Sequence, residues 1–131
     1  MAINGGCRCG AVRYEAADAP EHHAVCHCGD CRASAGAPMV AWLAFPEQGV
    51  SITGTPTTFE SSPGVFRQFC GTCGTGLFYR NEAVLPGLVD IQSATLDSPE
   101  EHAPGAQIQV AERLGWVERI ADLPAFERYP G

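Results

Sequence analysis

The chain has 131 residues, of which 45% are hydrophobic and 18% charged, and its formal net charge is −7 at pH 7. This is the length of one ordinary domain, so we expect residues 1–131 to form a single domain. All eight basic residues are arginines, which excludes lysine Schiff-base chemistry, and the acidic balance disfavours nucleic acid as a partner.

The compartment is predicted from the amino terminus and from hydropathy. Residues 1–6 have neither the basic region nor the apolar core of a secretory signal. No run of about 18 apolar residues occurs, so we expect no contact with a membrane. The sequence therefore predicts a cytoplasmic protein, and cysteine clusters in that reducing compartment indicate metal or redox sites rather than disulfides.

The first half of the chain consists of short predicted strands. Val12 and Tyr14 alternate with Arg13 and Glu15, which predicts a half-buried strand over residues 11–16, followed by a turn at 18–20. The other predicted elements are a strand at 22–28, a brief helical turn at 30–35, an apolar buried strand at 39–45, and strands at 49–54 and 57–60.

The second half continues this pattern with strands predicted at 65–69, 76–79, 88–91 and 107–110. A capped helical turn is predicted at 97–101. Trp116, Leu123 and Phe126 are predicted to fasten the carboxyl-terminal tail to the body of the protein. Together these elements predict a mainly β domain with a few short helical turns.

All seven cysteines lie in Cys-x-Cys or Cys-x-x-Cys spacings, which are typical of metal ligands. Residues two apart share one face of a strand, so Cys7 and Cys9 can reach one ion if the backbone curls after Gly6. Cys70 and Cys73 supply the matching half on a glycine-rich turn. These four predict a structural zinc site, with disulfides or free thiols as the alternative.

Cys26, Cys28 and Cys31 place three further thiols within six positions. Three protein ligands with a vacant fourth position are the usual arrangement of a catalytic zinc. One alternative is a redox pair of Cys28 and Cys31, and another is a site closed by a fourth protein ligand. The histidine candidates for that ligand are His22, His23, His27 and His102, of which His27 points away if the strand is regular.

Three cysteine-containing stretches resemble those of the glutathione-dependent formaldehyde-activating enzyme family. They are residues 5–14 with Cys-Arg-Cys-Gly, residues 26–32 reading Cys-His-Cys-Gly-Asp-Cys-Arg, and residues 69–75 with Cys-Gly-Thr-Cys-Gly. Residues 94–97 and Trp116 fit the family's tail.

The resemblance implies a β-tent fold, in which small antiparallel sheets lean together around a structural zinc held by Cys7, Cys9, Cys70 and Cys73. It further implies a second, catalytic zinc held by Cys26, Cys28 and Cys31. The implied activity is that of a carbon–sulfur lyase, which joins glutathione to formaldehyde as S-hydroxymethylglutathione.

Glutathione carries two carboxylates, for which arginines that flank the cysteine clusters are candidate partners. For each arginine, a solvated surface charge is the alternative. Asp30 is expected to cap the following turn rather than to move a proton. The four candidate arginines are Arg8, Arg32, Arg67 and Arg80.

Two other functions compete with the lyase. The first is a non-catalytic zinc-stabilised module that binds a protein or carries glutathione. The second is a thiol–disulfide oxidoreductase that uses Cys28 and Cys31, which leaves Cys26 without a role.

Overall fold

A computed structural model describes residues 2–17 and 19–131 of the chain. The predicted turn at 18–20 begins at Asp18, which lies outside the described residues. Within them, no helix is both long enough and apolar enough to cross a membrane. The described strands, β1 to β10 in chain order, are Ile3–Gly6, Arg13–Ala16, His22–Cys26, Val40–Pro46, Val50–Thr53, Thr57–Ser62, Val65–Phe69, Gly76–Asn81, Leu88–Gln92 and Ala106–Ile108.

The helical content is small. One α-helix, α1, covers Gly29–Ala35. Short 3₁₀ segments make up the rest of the helical residues described, and they are Glu47–Gly49, Ser93–Thr95, Pro99–Glu101, Val110–Glu112 and Gly115–Asp122.

The strands form two sheets. The smaller has the order β1-β2-β5, and the larger has the order β10-β3-β4-β9-β8-β7-β6. Every pairing is antiparallel except that of β10, which runs parallel to β3. The predicted mainly β fold with small sheets and short helical turns is confirmed. The predicted strands at 49–54 and 57–60 flank one turn yet belong to different sheets.

The main core lies between the two sheets. Tyr14 of the small sheet meets Phe78 of the large one edge-on, with ring centroids 5.6 Å apart. Fully burying side chains of this size stabilises the fold by roughly 1.5–3 kcal/mol each. Cys7 and Cys70 belong to the same buried cluster. The two turns that carry these cysteines therefore meet at the junction between the sheets.

A second, smaller core lies at the start of α1. There Cys26 and Cys31 pack with Val40 and Trp42, and Tyr79 is in contact with this cluster. The helical turn predicted at 30–35 is confirmed and starts one residue earlier.

The prediction that Asp30 caps this helix is wrong. The cap is Cys28, whose Sγ accepts a hydrogen bond from the Cys31 N–H at 3.3 Å. Asp30 lies exposed in the first turn, where a negative charge is favourable. At the other end, Gly36 takes a left-handed conformation and its N–H donates to the Arg32 carbonyl.

Two predicted strands end two residues earlier in the structure. The strand predicted at 22–28 ends at Cys26, because the chain then turns into α1. The strand predicted at 107–110 covers Ala106–Ile108, because Gln109 adopts a left-handed conformation before the next 3₁₀ segment. The turn predicted at 97–101 is the 3₁₀ segment Pro99–Glu101, and no side chain caps it.

The prediction that three apolar side chains of the tail pack against the body of the protein is wrong. Trp116, Leu123 and Phe126 are 47%, 55% and 56% exposed, and Val117 is the buried residue of this segment. A 3₁₀ helix turns its successive side chains about 120° apart, so the neighbour of a core-facing residue points elsewhere. Hydrophobicity alone does not select which neighbour faces inward.

Asp90 of β9 is a carboxylate buried in the large sheet. It lies in register with Ala44 and Tyr79, and only 6% of the residue is exposed. Its Oδ1 has no hydrogen-bond partner among the described residues. Burial raises the pKa of Asp90 to about 6, a rise that the positive charge of His22 partly opposes.

We expect Asp90→Asn to stabilise the protein more at high pH than at low pH. The native pKa of about 6 lies above the ordinary value of 3.8, so the native state binds more protons between these values. The free energy of unfolding therefore falls as pH rises through this window. By that linkage, the gain over wild type at pH 8 is about twice the gain at pH 5 and amounts to about 3 kcal/mol. Urea unfolding of both proteins at each pH measures this difference in the free energy of unfolding. A difference that does not change with pH would contradict the proposed raised pKa of Asp90.

Candidate metal centres

Cluster I consists of Cys7, Cys9, Cys70 and Cys73, which two loops bring together. Their sulfurs all lie within 4.8 Å of one another. The Cys7–Cys9 and Cys9–Cys70 Sγ distances are 3.6 Å and 3.7 Å. A tetrahedron with Zn–S bonds of about 2.3 Å has edges of about 3.8 Å. These two distances match the edges of such a tetrahedron, and all four sulfurs lie close enough together to reach one metal ion.

The two loops of cluster I have a similar construction. Gly10 and Gly74 both take left-handed φ angles, of 82° and 81°, which let each chain fold back around its cysteines. The Val12 N–H donates to Cys7 Sγ at 3.3 Å, and the Cys73 N–H donates to Cys70 Sγ at 3.5 Å. Hydrogen bonds of this kind orient metal-binding sulfurs. The backbone therefore turns after Gly6, which is the condition under which Cys7 and Cys9 can reach one ion.

Thr75 stabilises the anionic form of one thiol and joins the two loops. Its hydroxyl lies 3.2 Å from Cys73 Sγ and accepts a hydrogen bond from the Arg8 N–H at 3.1 Å. Hydrogen bonds from the Thr75 side chain and backbone lower the pKa of Cys73 to about 5. Sequence reasoning missed Thr75, although its position two residues after a cluster cysteine was a usable signal.

Cluster II consists of Cys26, Cys28 and Cys31, and lies where β3 passes into α1. Its three sulfurs also lie within 4.8 Å of one another. Cys26 and Cys31 are buried, whereas Cys28 is half-buried. The cluster is therefore enclosed by protein on two sides and accessible at Cys28.

Binding of a metal ion at cluster II would remove the protons from its thiols. Burial raises the pKa of Cys26 to about 12, and burial also raises the pKa of Cys31. Three thiolates this close together repel one another, and a metal ion supplies the compensating charge. Soft sulfur donors of this kind suit zinc.

No histidine completes cluster II among residues 2–17 and 19–131, and no carboxylate does so. His27 is buried and its Nε2 lies 2.8 Å from Gln107 Oε1 on β10, as expected for a side chain that points away from its flanking cysteines. The alternative of a fourth histidine ligand is therefore disfavoured.

Arg67 of β7 is the candidate arginine that reaches cluster II. Its Nη2 lies 3.8 Å from Cys31 Sγ, and its guanidinium carbon lies 4.8 Å from the centre of the Tyr79 ring. Such stacking fixes the plane of a guanidinium while leaving its edge free to bind an anion. Within the described part of the chain, Arg67 has no ion pair with a carboxylate.

The other three candidate arginines are placed differently. Arg80 pairs with Glu47 and also donates to Gln68 at 3.1 Å. Arg32 donates from Nε to the His27 carbonyl at 3.1 Å. Arg8 is exposed beside cluster I. Sequence proximity to a cysteine therefore did not predict which arginine approaches cluster II.

Two cavities share Arg67 and Ser34, and Arg67 connects both of them to cluster II through its contact with Cys31 Sγ. The aromatic cavity has a volume of about 420 Å³, and the polar cavity has a volume of about 480 Å³. The aromatic cavity is further lined by Ala35, Trp42, Phe59, Gln68, Phe69, Gly74, Gly76, Phe78 and Gln92. The polar cavity is further lined by Asp30, Ala33, Ser61, Ser62, Val65, Tyr79 and Asn81.

Comparisons with known proteins agree with these features. An uncharacterized lyase of Schizosaccharomyces pombe is 31% identical over 75 residues, which are 57% of this chain and 55% of that protein. The chain thus spans about half the length of this curated relative. The crystal structure of a Rhodobacter sphaeroides protein has the same fold, with a TM-score of 0.63 at 20% identity over 79% of this chain and 98% of that one. Residues 2–112 match the model of the glutathione-dependent formaldehyde-activating enzymes, and the chain belongs to that family.

Proposed function

We propose that this protein makes or breaks a carbon–sulfur bond between glutathione, or a related thiol, and an aldehyde. The observation that carries the proposal is the convergence of three sulfurs with Arg67, which contacts Cys31 and lines two cavities. The family and the lyase name of the yeast relative support the same reaction class. A cytoplasmic location and a single domain over residues 1–131 stay predictions.

The two clusters are assigned different roles. Cys7, Cys9, Cys70 and Cys73 would hold a structural zinc at the junction of the sheets, and Cys26, Cys28 and Cys31 would hold a catalytic one. When bound at cluster II, zinc supplies Lewis acidity and lowers the pKa of a thiol that it contacts.

The chemistry requires no external oxidant or reductant. In the forward direction the thiol sulfur bonds to the carbonyl carbon, the carbonyl π bond breaks, and the thiol proton ends on the new hydroxyl. The reverse reaction returns that proton and breaks the same carbon–sulfur bond. The protein therefore has to bind two partners side by side and hold the sulfur as a thiolate.

Arg67 is proposed to bind one carboxylate of glutathione. Its guanidinium lies between the cavities, is stacked on Tyr79, and points an N–H group toward Cys31 Sγ. An anion bound there would be held within reach of cluster II. A planar, preorganised guanidinium pairs with a carboxylate through two parallel hydrogen bonds.

We expect Arg67→Gln to raise the KM for glutathione by roughly 10- to 100-fold, because a charge-assisted pair of hydrogen bonds contributes about 1.5–3 kcal/mol. Initial rates of adduct formation at varied glutathione concentration measure this change. Arg8→Gln, which alters an exposed arginine at cluster I, is the matched control and is expected to change KM less than twofold. Equal effects of the two substitutions would contradict the assignment.

The competing binding-module function is supported by the exposed apolar side chains of the tail, among them Trp116 and Phe126. It differs from the lyase proposal in a measurable way. A binding module would not accelerate adduct formation. Altering cluster II would therefore leave the rate at that of the uncatalysed reaction.

A further inference from the structure

We propose that the aldehyde half of the substrate carries an apolar group of about the size of an aromatic ring, which occupies the aromatic cavity walled by Trp42 and Phe59. This inference rests on the proposed function and adds the class of the second substrate. Its physical basis is the different lining of the two cavities beside cluster II.

The aromatic cavity is far larger than a one-carbon unit needs. Formaldehyde has two heavy atoms, whereas a cavity of about 420 Å³ lies within the range of pockets that bind whole small molecules. Trp42, Phe59, Phe69 and Phe78 contribute to its lining. Aromatic walls favour a flat or branched apolar group, which gains from leaving water and from stacking.

The aromatic cavity and cluster II share two neighbouring side chains, Trp42 and Arg67. Trp42 belongs to the same buried cluster as Cys26 and Cys31. Arg67 lines the cavity and also contacts Cys31 Sγ. A carbonyl carbon bonded to a sulfur at cluster II would therefore have its substituent directed along Trp42.

Phe59 is exposed at a position where packing does not require an aromatic residue. It lies on β6, whose six residues are all exposed, and 61% of Phe59 itself is accessible. Phe59 lines the aromatic cavity together with Trp42, so an apolar ligand in that cavity would contact both rings. Sequence reasoning assigned Phe59 to a strand and gave it no function.

The polar cavity suits the other half of an adduct. Asp30, Ser61, Ser62 and Asn81 provide carboxylate, hydroxyl and amide groups. These groups pair with the ammonium and peptide groups of a tripeptide thiol. Because Arg67 lines both cavities, one molecule that spans them would place its carboxylate at the guanidinium. The proposed substrate is thus the hemithioacetal of a peptide thiol and an apolar aldehyde.

The experiment uses two inert thioethers, S-benzylglutathione and S-methylglutathione, titrated calorimetrically into metal-loaded protein. We expect S-benzylglutathione to bind at least 10-fold more tightly, because its ring enters the aromatic cavity. Rates of adduct formation with benzaldehyde and with formaldehyde are measured in parallel, and kcat/KM is expected to favour benzaldehyde.

Three tryptophan substitutions at exposed positions test which cavity binds each part of the two thioethers. Ala35→Trp fills the aromatic cavity and is expected to weaken S-benzylglutathione at least 10-fold and S-methylglutathione far less. Ser62→Trp fills the polar cavity and is expected to weaken both ligands alike. Val84→Trp, which lies outside both cavities, is the control and should change neither affinity.

The outcomes separate this inference from the function on which it rests. Equal affinity for the two thioethers, with adduct formation from formaldehyde retained, would overturn the aromatic-substrate inference alone. Loss of selectivity in Ser62→Trp but not in Ala35→Trp would also overturn it. Absence of both binding and adduct formation in the wild-type protein would overturn the proposed function as well.

Discussion

Cys73→Ser is expected to leave the protein unfolded at room temperature. Cys73 is exposed, so the substitution removes almost no packing and acts through the loss of one cluster I ligand. Structural zinc contributes about 10–16 kcal/mol in small zinc-binding peptides, which is comparable with the entire stability of a domain, about 5–15 kcal/mol. The two sheets lose the connection at their junction when the site is broken.

Far-ultraviolet circular dichroism and metal content measure this result. Wild-type protein is expected to hold two zinc ions per chain and to unfold cooperatively. Thr72→Ser, which alters the same exposed turn without touching a ligand, is the matched control and should melt within a few degrees of wild type. A folded Cys73→Ser protein that retains two ions would contradict the structural role of cluster I.

Cys28→Ser is expected to lower the rate of adduct formation by more than 1,000-fold while the fold persists, since catalytic ligands act as a unit and residual rates are those of binding alone. Cys28 is the half-buried member of cluster II and is not part of the core between the sheets. The serine hydroxyl retains the ability to cap α1, so the local backbone should be preserved.

This variant is checked by steady-state rates, metal content and thermal melting on the same preparation. We expect one zinc ion per chain, a melting temperature within about 5 °C of wild type, which corresponds to roughly 1 kcal/mol for a domain of this size, and a rate of adduct formation close to that of the uncatalysed reaction. Unchanged rates would favour the binding module. Unfolding as complete as that of Cys73→Ser would show that the division into structural and catalytic clusters is wrong.

Local patterns in the sequence predicted several features correctly. The alternation of Val12 and Tyr14 predicted a strand because the side-chain period of two is a property of the backbone. The run at 39–45 predicted a buried strand, and β4 covers Val40–Pro46 in the interior of the large sheet, between β3 and β9. A continuous apolar run of this length is typical of a strand that is buried on both faces.

Other features depended on register and packing. Tyr79 lies beside Asp90 because β8 and β9 pair in one register, and a shift by one residue would turn both to the opposite face. The sequence pattern alone therefore does not predict that the carboxylate of Asp90 is buried without a hydrogen-bond partner. The exposure of Trp116 likewise follows from the turn of a short 3₁₀ helix rather than from its hydrophobicity.

By itself the sequence determined which cysteines lie close together within each short turn, because Cys-x-Cys and Cys-x-x-Cys spacings bring sulfurs together over a few residues of backbone. The tertiary structure alone decided what surrounds cluster II. Arg67 is separated from Cys31 by 36 positions, and only the order β4-β9-β8-β7 brings its guanidinium to that sulfur. The cavities walled by Trp42 and Phe59 arise in the same way, because distant strands become neighbours only when the sheet has formed.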